Sequence, residues 1–436
     1  MRQRNKDKKR SIYIETYGCS ANQSHSEVMM GLLKENGYNI FRSPEDAGVL
    51  VINTCIVKEP TEKRMIFRIK SLKEKYPDKK MIIAGCMPAG EYSLVKKIAP
   101  EASLVGPNNS LDIIEAVKNT LNNTHVEYLD DKGEKILCHP RIRFNKFINI
   151  VEISKGCLGN CAYCIVKRAK GILKSYPIKA ILMDIEMSLK EGCKEVWLTS
   201  QDCGCYGRDI GVTLVDLINE ISKIPGEFRV RIGMANPNYV IKMLKDLINS
   251  YKSDKIYKFL HIPVQSGSNE VLKKMRRVYT AEEFKEIVTK FKKNTPNVTV
   301  WTDVIVGFPG ETEKDFKETL KLIEETKPDF VNISKFGVRP GTEAEKMKKV
   351  DTETIKRRSR EISNLVDRIS LEKNKDWIGR TCKILITEPG RDKNQYMGRN
   401  ESYKPILIET EKNLLGKFVT VRIIDAKKTH LVGKII

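Results

Sequence analysis

The sequence is most informative first in what it lacks. No stretch approaches the ~18 consecutive apolar residues of a membrane-spanning helix, which argues against a membrane partner. The first residues, MRQRNKDKKR, form a basic tail with no apolar run behind it, so no secretion signal is expected. Eleven cysteines without such a signal point to metal or redox chemistry in a reducing, cytoplasmic compartment, not to disulfides. No glycine-rich dinucleotide fingerprint follows the first apolar run, which excludes an ordinary nucleotide pocket there. Acidic residues are in deficit: 78 Lys and Arg against 56 Asp and Glu leave a formal charge of +22. A surplus this large suits a polyanionic partner, most simply RNA or DNA, although a solvated Lys-rich surface gives the same count.

What is present is organised around one stretch, VEISKGCLGNCAYCIVKRAKGILKSYP (Val151 to Pro177). Cys157, Cys161 and Cys164 stand in a CxxxCxxC spacing. The apolar run FINIVEIS (Phe147 to Ser154) reads as a strand before them, and the residues behind them read as loop giving way to a helix near Pro177. Three thiolates in one loop can hold three irons of a cubane cluster and leave the fourth iron open. A structural zinc site or buried free cysteines are the alternatives; zinc sites usually pair two CxxC halves, and no second half is present.

Upstream, three segments share one form. SIYIETYGC ends at Cys19, GVLVINTC at Cys55 and KKMIIAGC at Cys86. Each is a β-branched run followed at once by cysteine. Helical patterns follow over Ser24 to Asn36, over Glu59 to Tyr76 and, more weakly, after Glu91. A further strand, ASLVG, and a helix over Ser110 to Asn122 complete the layer. Alternation of this kind predicts an α/β, doubly wound domain over residues 11–135. Ligands of such sheets sit beyond the carboxyl ends of the strands, so the three cysteines should converge on one edge and offer a second cluster site. A single strand-end cysteine would read as a small core residue. Asn22 lies in the loop beside Cys19 and reads equally as a turn or cap residue.

From 140 to 370 the βα units continue, through KEVWLTS, FRVRIGM, YKFLHIPV, NVTVWTDVIVG and FVNISKF. Six units predict a partial TIM-like (β/α)6 barrel with its polar groups at the strand ends. Gln201, Asp202, His261, Gln265, Ser266 and Asp303 occupy such ends, although a satisfied loop or core residue is the plainer reading of each. Cys203 and Cys205 are expected as free thiols, and Cys138, Cys193 and Cys382 as small packed hydrophobes. A charged helix from Asp351 to Asn374 should be a solvated link. From 375 to 436, about five alternating runs separated by Gly and Pro turns predict a small OB-like β-barrel.

YGCSANQSHSE, NTC, AGCMP and the CxxxCxxC loop together resemble the radical S-adenosylmethionine (SAM) methylthiotransferases, over nearly the whole chain. The last segment is similar to the TRAM domain, an RNA-binding module. The resemblance implies a radical SAM barrel and two [4Fe-4S] clusters. One would sit on Cys157, Cys161 and Cys164 with SAM at the open iron; the auxiliary one would sit on Cys19, Cys55 and Cys86. It places Gln201, Asp202, His261, Gln265, Ser266 and Asp303 around SAM or the substrate, and matches the turn Arg339 to Thr342. Candidate RNA contacts are Tyr396, Arg399, Tyr403 and Lys404, aromatics to stack on bases and cations for phosphates. The implied partners are tRNA at its anticodon region, an electron-donor protein and a sulfur source. The implied reaction is 2-methylthiolation of an adenosine beside the anticodon. GCLGNCAYC, KRAKG, WLTSQD and YGRDIG look most like the branch acting on N6-threonylcarbamoyladenosine, with Lys167 to Lys170 as a candidate reader of its carboxylate. The isopentenyladenosine branch, methylthiolation of a ribosomal-protein aspartate, and a non-catalytic iron–sulfur RNA-binding or sensing role are the alternatives.

Overall fold

The computed structural model describes residues 10–131, 133 and 135–436; the basic tail before Arg10 lies outside them. Six parallel strands form the first layer: β1 (Ser11–Thr16), β2 (Asn39–Phe41), β3 (Val49–Thr54), β4 (Lys80–Gly85), β5 (Ser103–Val105) and β6 (Glu127–Tyr128). Their order is β2-β1-β3-β4-β5-β6. The central strand β3, VLVINT, is buried along its whole length, as expected of a parallel strand covered on both faces. Apolar clusters lie on either side, around Ile52, Met65 and Ile83 on one and Val51, Leu33 and Val117 on the other. The helix expected from Ser24 begins earlier, spanning Ser20–Glu35 with Cys19 at its N-cap. Polar Ser20, Asn22 and Ser24 concealed that start.

The second layer is the partial barrel. Its strands are β7 (Ile148–Glu152), β10 (Glu195–Thr199), β11 (Arg229–Ile232), β12 (Phe259–His261), β13 (Thr299–Val306) and β14 (Phe330–Lys335). They run parallel as two three-stranded sheets, joined through the bridge Val230↔Ile256. After β7 the chain makes a short antiparallel clasp, β8 (Ser154–Lys155) with β9 (Lys174–Ser175). The clasp closes off the loop that holds Cys157, Cys161 and Cys164. Gly156, at φ +70°, sits under it; a side chain there would stand 2.1 Å from the Ile172 carbonyl oxygen.

The helix Thr352–Lys375 corrects one expectation. It is not a free solvated link: Arg358, Ile362, Val366, Ile369 and Ser370 are buried on one face, against the barrel core. The stripe has helical spacing, but the many charges on the other face masked it. Five strands, β15 (Thr381–Pro389), β16 (Gln395–Asn400), β17 (Pro405–Glu409), β18 (Phe418–Ala426) and β19 (Leu431–Ile435), then close a small barrel around Ile384, Ile406, Val421 and Leu431. Among the described residues no helix is long and apolar enough to cross a membrane.

Candidate active site: two cysteine groups on one cavity

Strands β1, β3 and β4 are neighbours, and each ends at a cysteine. Cys19 caps the helix behind β1, Cys55 follows β3 directly, and Cys86 opens the helix Cys86–Gly90 behind β4. Gly18 (φ +107°) permits the approach of the first two loops; an added Cβ would lie 2.6 Å from Cys55 Cβ. Asn22 ties all three loops together. Its Nδ2 donates to the carbonyls of Tyr17 (2.9 Å) and Thr54 (2.7 Å), and its Oδ1 lies 3.8 Å from Cys86 Sγ. It is neither a cap nor a turn residue.

Cys157, Cys161 and Cys164 come from the clasped loop. The Ala162 N–H donates to Met275 O and its carbonyl accepts from the Ala344 N–H, so the loop is pinned from two sides. The Cys157 Sγ accepts from the Gly159 N–H at 3.2 Å. All six cysteines line one cavity of about 550 Å³. Lys167, Arg168, Lys170, Gln201, Asn236, Arg277 and Pro340 to Thr342 share its wall. All eleven cysteines of the chain are free thiols.

Burial pushes the thiols of Cys55, Cys161 and Cys164 up, and that of Cys86 to about 12. Cys157 is held down at about 7, first by its contact with Cys205. Desolvated thiols of this kind ionise when a metal takes the place of the proton. No three His, Cys, Asp or Glu groups among the described residues converge on a single ion. A cubane takes one thiolate per iron, so its cysteines face a volume and not a point. The donor set, the shared cavity and the absence of disulfides suit iron–sulfur chemistry.

Of the six strand-end residues expected around SAM or substrate, Gln201 alone is on this wall, and its buried Oε1 has no partner among the described residues. Asp202 is fully buried and spoken for: it accepts from Gly204 N (2.9 Å), Asn236 N (3.0 Å) and Asn236 Nδ2 (2.7 Å). His261 Nε2 and Asp303 Oδ2 are 2.9 Å apart, and Asn332 Nδ2 donates to Asp303 Oδ1 at 2.7 Å. Gln265 (φ +69°) pairs through its backbone with β13, and Ser266 is buried against Thr319. These four lie in the barrel but off the cysteine cavity.

The residue missed in sequence is Arg277. One terminal nitrogen donates to Asn236 Oδ1 (2.7 Å) and the other to the Tyr163 hydroxyl (2.6 Å), while its buried Nε has no partner among the described residues. It therefore orients two wall residues beside Cys161. The run KKMRRVY held it, but nothing in that run distinguishes Arg277 from a surface cation.

Of the four expected RNA contacts, Tyr403 and Lys404 are buried. Tyr403 is buried between the two barrels, its ring 4.8 Å from those of Tyr257 and Phe259. Lys404 is 5% exposed and donates to Asp329 Oδ1 (2.8 Å) and Asn374 Oδ1 (2.9 Å). Arg399 stacks on Tyr403 and pairs with Glu388 at 3.6 Å. Tyr396 is half-buried against the small barrel's own core. Aromatic and basic residues in a β-rich run serve an interdomain seam as well as an RNA face.

Residues 11–106 match the family described as Uncharacterized protein family UPF0004, 151–323 the Radical SAM superfamily and 375–436 the TRAM domain. A "Probable threonylcarbamoyladenosine tRNA methylthiotransferase" of Methanothermobacter thermautotrophicus is 41% identical, over 97% of this chain and 99% of its own. The Homo sapiens "Threonylcarbamoyladenosine tRNA methylthiotransferase" is 37% identical, over 97% of this chain and 73% of its own. In fold, the chain is similar to the radical S-adenosylmethionine methyltransferase TsrM of Kitasatospora setae, with a TM-score of 0.55 at 13% identity over 77% of this chain and 75% of that one. Sequence identity on this scale across nearly the full length, with the matched domains in one order, makes the chain a member of the threonylcarbamoyladenosine tRNA methylthiotransferase family of radical SAM enzymes.

Proposed function

We propose that this enzyme converts N6-threonylcarbamoyladenosine beside the tRNA anticodon to its 2-methylthio derivative, and that it does so in the cytoplasm with two [4Fe-4S] clusters, an electron-donor protein and a sulfur source. The observation that carries this is the single cavity walled by both cysteine groups. The adenine C2–H bond is neither acidic nor electrophilic, so no acid or base on the wall can activate it, and a cofactor must supply that chemistry. When bound, the loop group with SAM supplies a hydrogen-abstracting radical, and the strand-end group supplies the sulfur.

The chain's own residues bind and orient. Cys157, Cys161 and Cys164 hold one cluster, and Cys19, Cys55 and Cys86 the other. Gln201, Asn236 and Arg277 present polar groups to SAM from the barrel side. The unpartnered Gln201 Oε1 and Arg277 Nε leave hydrogen-bond capacity there, as a pocket for a polar ligand requires. Pro340 to Thr342 close the wall against Arg168, and Gly341, at φ +71°, lies against its guanidinium. Lys167 and Arg168 stand at the rim for the threonyl carboxylate or a neighbouring phosphate. RNA contact is transferred to the small barrel's loops, where Arg391, Lys393, Lys412 and Lys417 are exposed. Their two loops are tied by the Thr410 N–H to Asn394 O.

The test is nucleoside mass spectrometry on tRNA from cells with and without this gene. Loss of the 2-methylthio nucleoside with accumulation of its unthiolated precursor is expected. An unchanged nucleoside would sink the substrate assignment and return the isopentenyladenosine and ribosomal-protein readings.

A further inference from the structure

Lys170 ends the short helix Val166–Lys170, in the same loop as Cys157, Cys161 and Cys164. Its side chain nevertheless serves the other cysteine group. It is 2% exposed, lines the cavity, and its helix packs against the helix that Cys86 opens. Its partners are few and distant. Glu152 Oε1 is 3.5 Å away and His25 Nε2 is 3.4 Å away. His25 Nε2 is also 3.2 Å from Glu152 Oε2, and His25 Nδ1 is 2.5 Å from Ser110 Oγ.

Donor protons outnumber acceptors around this ammonium. His25 is neutral, its pKa lowered to about 4 by burial and by Lys170. A neutral imidazole has one N–H. If Nε2 carries it toward Glu152, Lys170 is left with Glu152 alone. If Nε2 is bare, Lys170 has two acceptors. An ammonium has three protons, so at least one is unmatched among these partners at a cavity wall. Burial would raise the Glu152 carboxyl, but Lys170 and His25 outweigh it and hold it at about 2, so Glu152 stays ionised. Lys155, also buried, adds to the positive field there. A buried donor with spare capacity, on the cavity wall that the thiols also line, is built for a small anion.

We propose that Lys170, delivered from the radical SAM barrel into the N-terminal site, holds an anionic sulfur ligand beside Cys19, Cys55 and Cys86 and sets the reduction potential of the group bound there. It is a positioning residue. The inference rests on the reading that these three cysteines hold an iron–sulfur cluster. The ligand class is hydrosulfide or a thiolate of similar size. Glu152 opposes the lysine and tempers the field, so the two residues act with opposite sign.

The experiment uses the full chain with Cys157, Cys161 and Cys164 replaced by alanine, reconstituted anaerobically. Electron paramagnetic resonance then follows sodium hydrosulfide binding and a redox titration. In Lys170→Met, hydrosulfide binding should weaken at least tenfold and the midpoint should fall. A tenfold loss of preference for the reduced state is about 59 mV for one electron. Glu152→Gln should move the midpoint upward, and Lys170→Arg should stay near the parent. Should Lys170→Met fail to fold, Lys170→Met with Glu152→Gln removes both members of this charge pair together and must still lose the hydrosulfide affinity. A purely structural lysine would lower iron content in both single variants and leave midpoint and affinity unmoved, which overturns the proposal. A parent that takes up no iron refutes the cluster reading instead, and the proposal with it.

Discussion

The two cysteine groups reach one cavity by opposite routes. Cys157, Cys161 and Cys164 are held by a single clasped loop, whose spacing is written in consecutive residues. Cys19, Cys55 and Cys86 are held by three strands, and nothing local relates them. The loop group needs the clasp and a few backbone bonds. The strand-end group needs the register of a whole sheet, Gly18 beside Cys55 and Asn22 across all three loops. A local site tolerates changes elsewhere; a site assembled by topology inherits the stability of the sheet that assembles it.

The sharpest way to break the comparison is to remove one group at a time. Cys161→Ala should abolish both SAM cleavage and methylthiolation, and Cys86→Ala should abolish methylthiolation alone. Each variant should also lose about half of its iron, since each group would bind one cluster of about four irons. Assay of 5′-deoxyadenosine, modified nucleoside and iron separates the two. If Cys86→Ala also stops SAM cleavage, the groups are not independent.

Arg277 comes next. Arg277→Met leaves Tyr163 and Asn236 without their shared donor and should lower SAM cleavage by roughly 10- to 100-fold, the range seen when a group that orients a metal site is lost. A fall in iron content of the same size would mean that it supports the cluster and not SAM.

Backbone strain sharpens the contrast at lower energy. Gly18→Ala places a Cβ 2.6 Å from Cys55 Cβ at φ +107°, and should cost about 1–3 kcal/mol and loosen the strand-end group. Gly159→Ala meets Cys157 Sγ only at 3.3 Å, so the loop group should keep its iron, with a loss under about 1 kcal/mol. Thermal melts with iron analysis compare the pair.

The smallest effect tests the seam between the barrels. Lys404→Met should destabilise the docked small barrel by about 1–3 kcal/mol through the loss of hydrogen bonds to buried partners. Burial opposes ionisation of Asp329, but Lys404 and Lys373 prevail and lower its pKa. A depressed carboxyl stabilises the fold above its unfolded value of about 3.9 and loses that contribution as pH falls toward the folded one. Melting between about pH 5 and pH 3 should therefore drop less steeply in Lys404→Met. An unchanged melt with weakened tRNA binding would restore Lys404 as an RNA contact.

Much of the site could be read from consecutive residues, and the failures share a cause. Residues that make chemistry in one cavity are the same types that close seams in another. Tyr403 and Lys404 look like an RNA-binding pair until Tyr257, Phe259 and Asp329 are placed against them. Asp202 looks like a strand-end contact for SAM or the substrate until the Asn236 backbone and amide fill its oxygens. Arg277 looks like one more surface cation. In each case the partner is distant in sequence, and periodicity carries no information about it.

The sequence by itself determined not the edge strands β2 and β6 but the alternation of strand and helix, the four inner strands β1, β3, β4 and β5 of the doubly wound sheet, the six-unit barrel, the closing five-stranded barrel and the loop spacing of Cys157, Cys161 and Cys164. Those follow from hydrophobic period, turn residues and local thiol spacing, which are properties of neighbours along the chain. Only the tertiary structure decided that both cysteine groups face one cavity, that Lys170 crosses from the loop of one group to His25 of the other group's domain, and that Tyr403 and Lys404 of the small barrel seal a seam. Those depend on how separately folded layers dock, and docking is set by burying surfaces whose partners lie far away in the sequence.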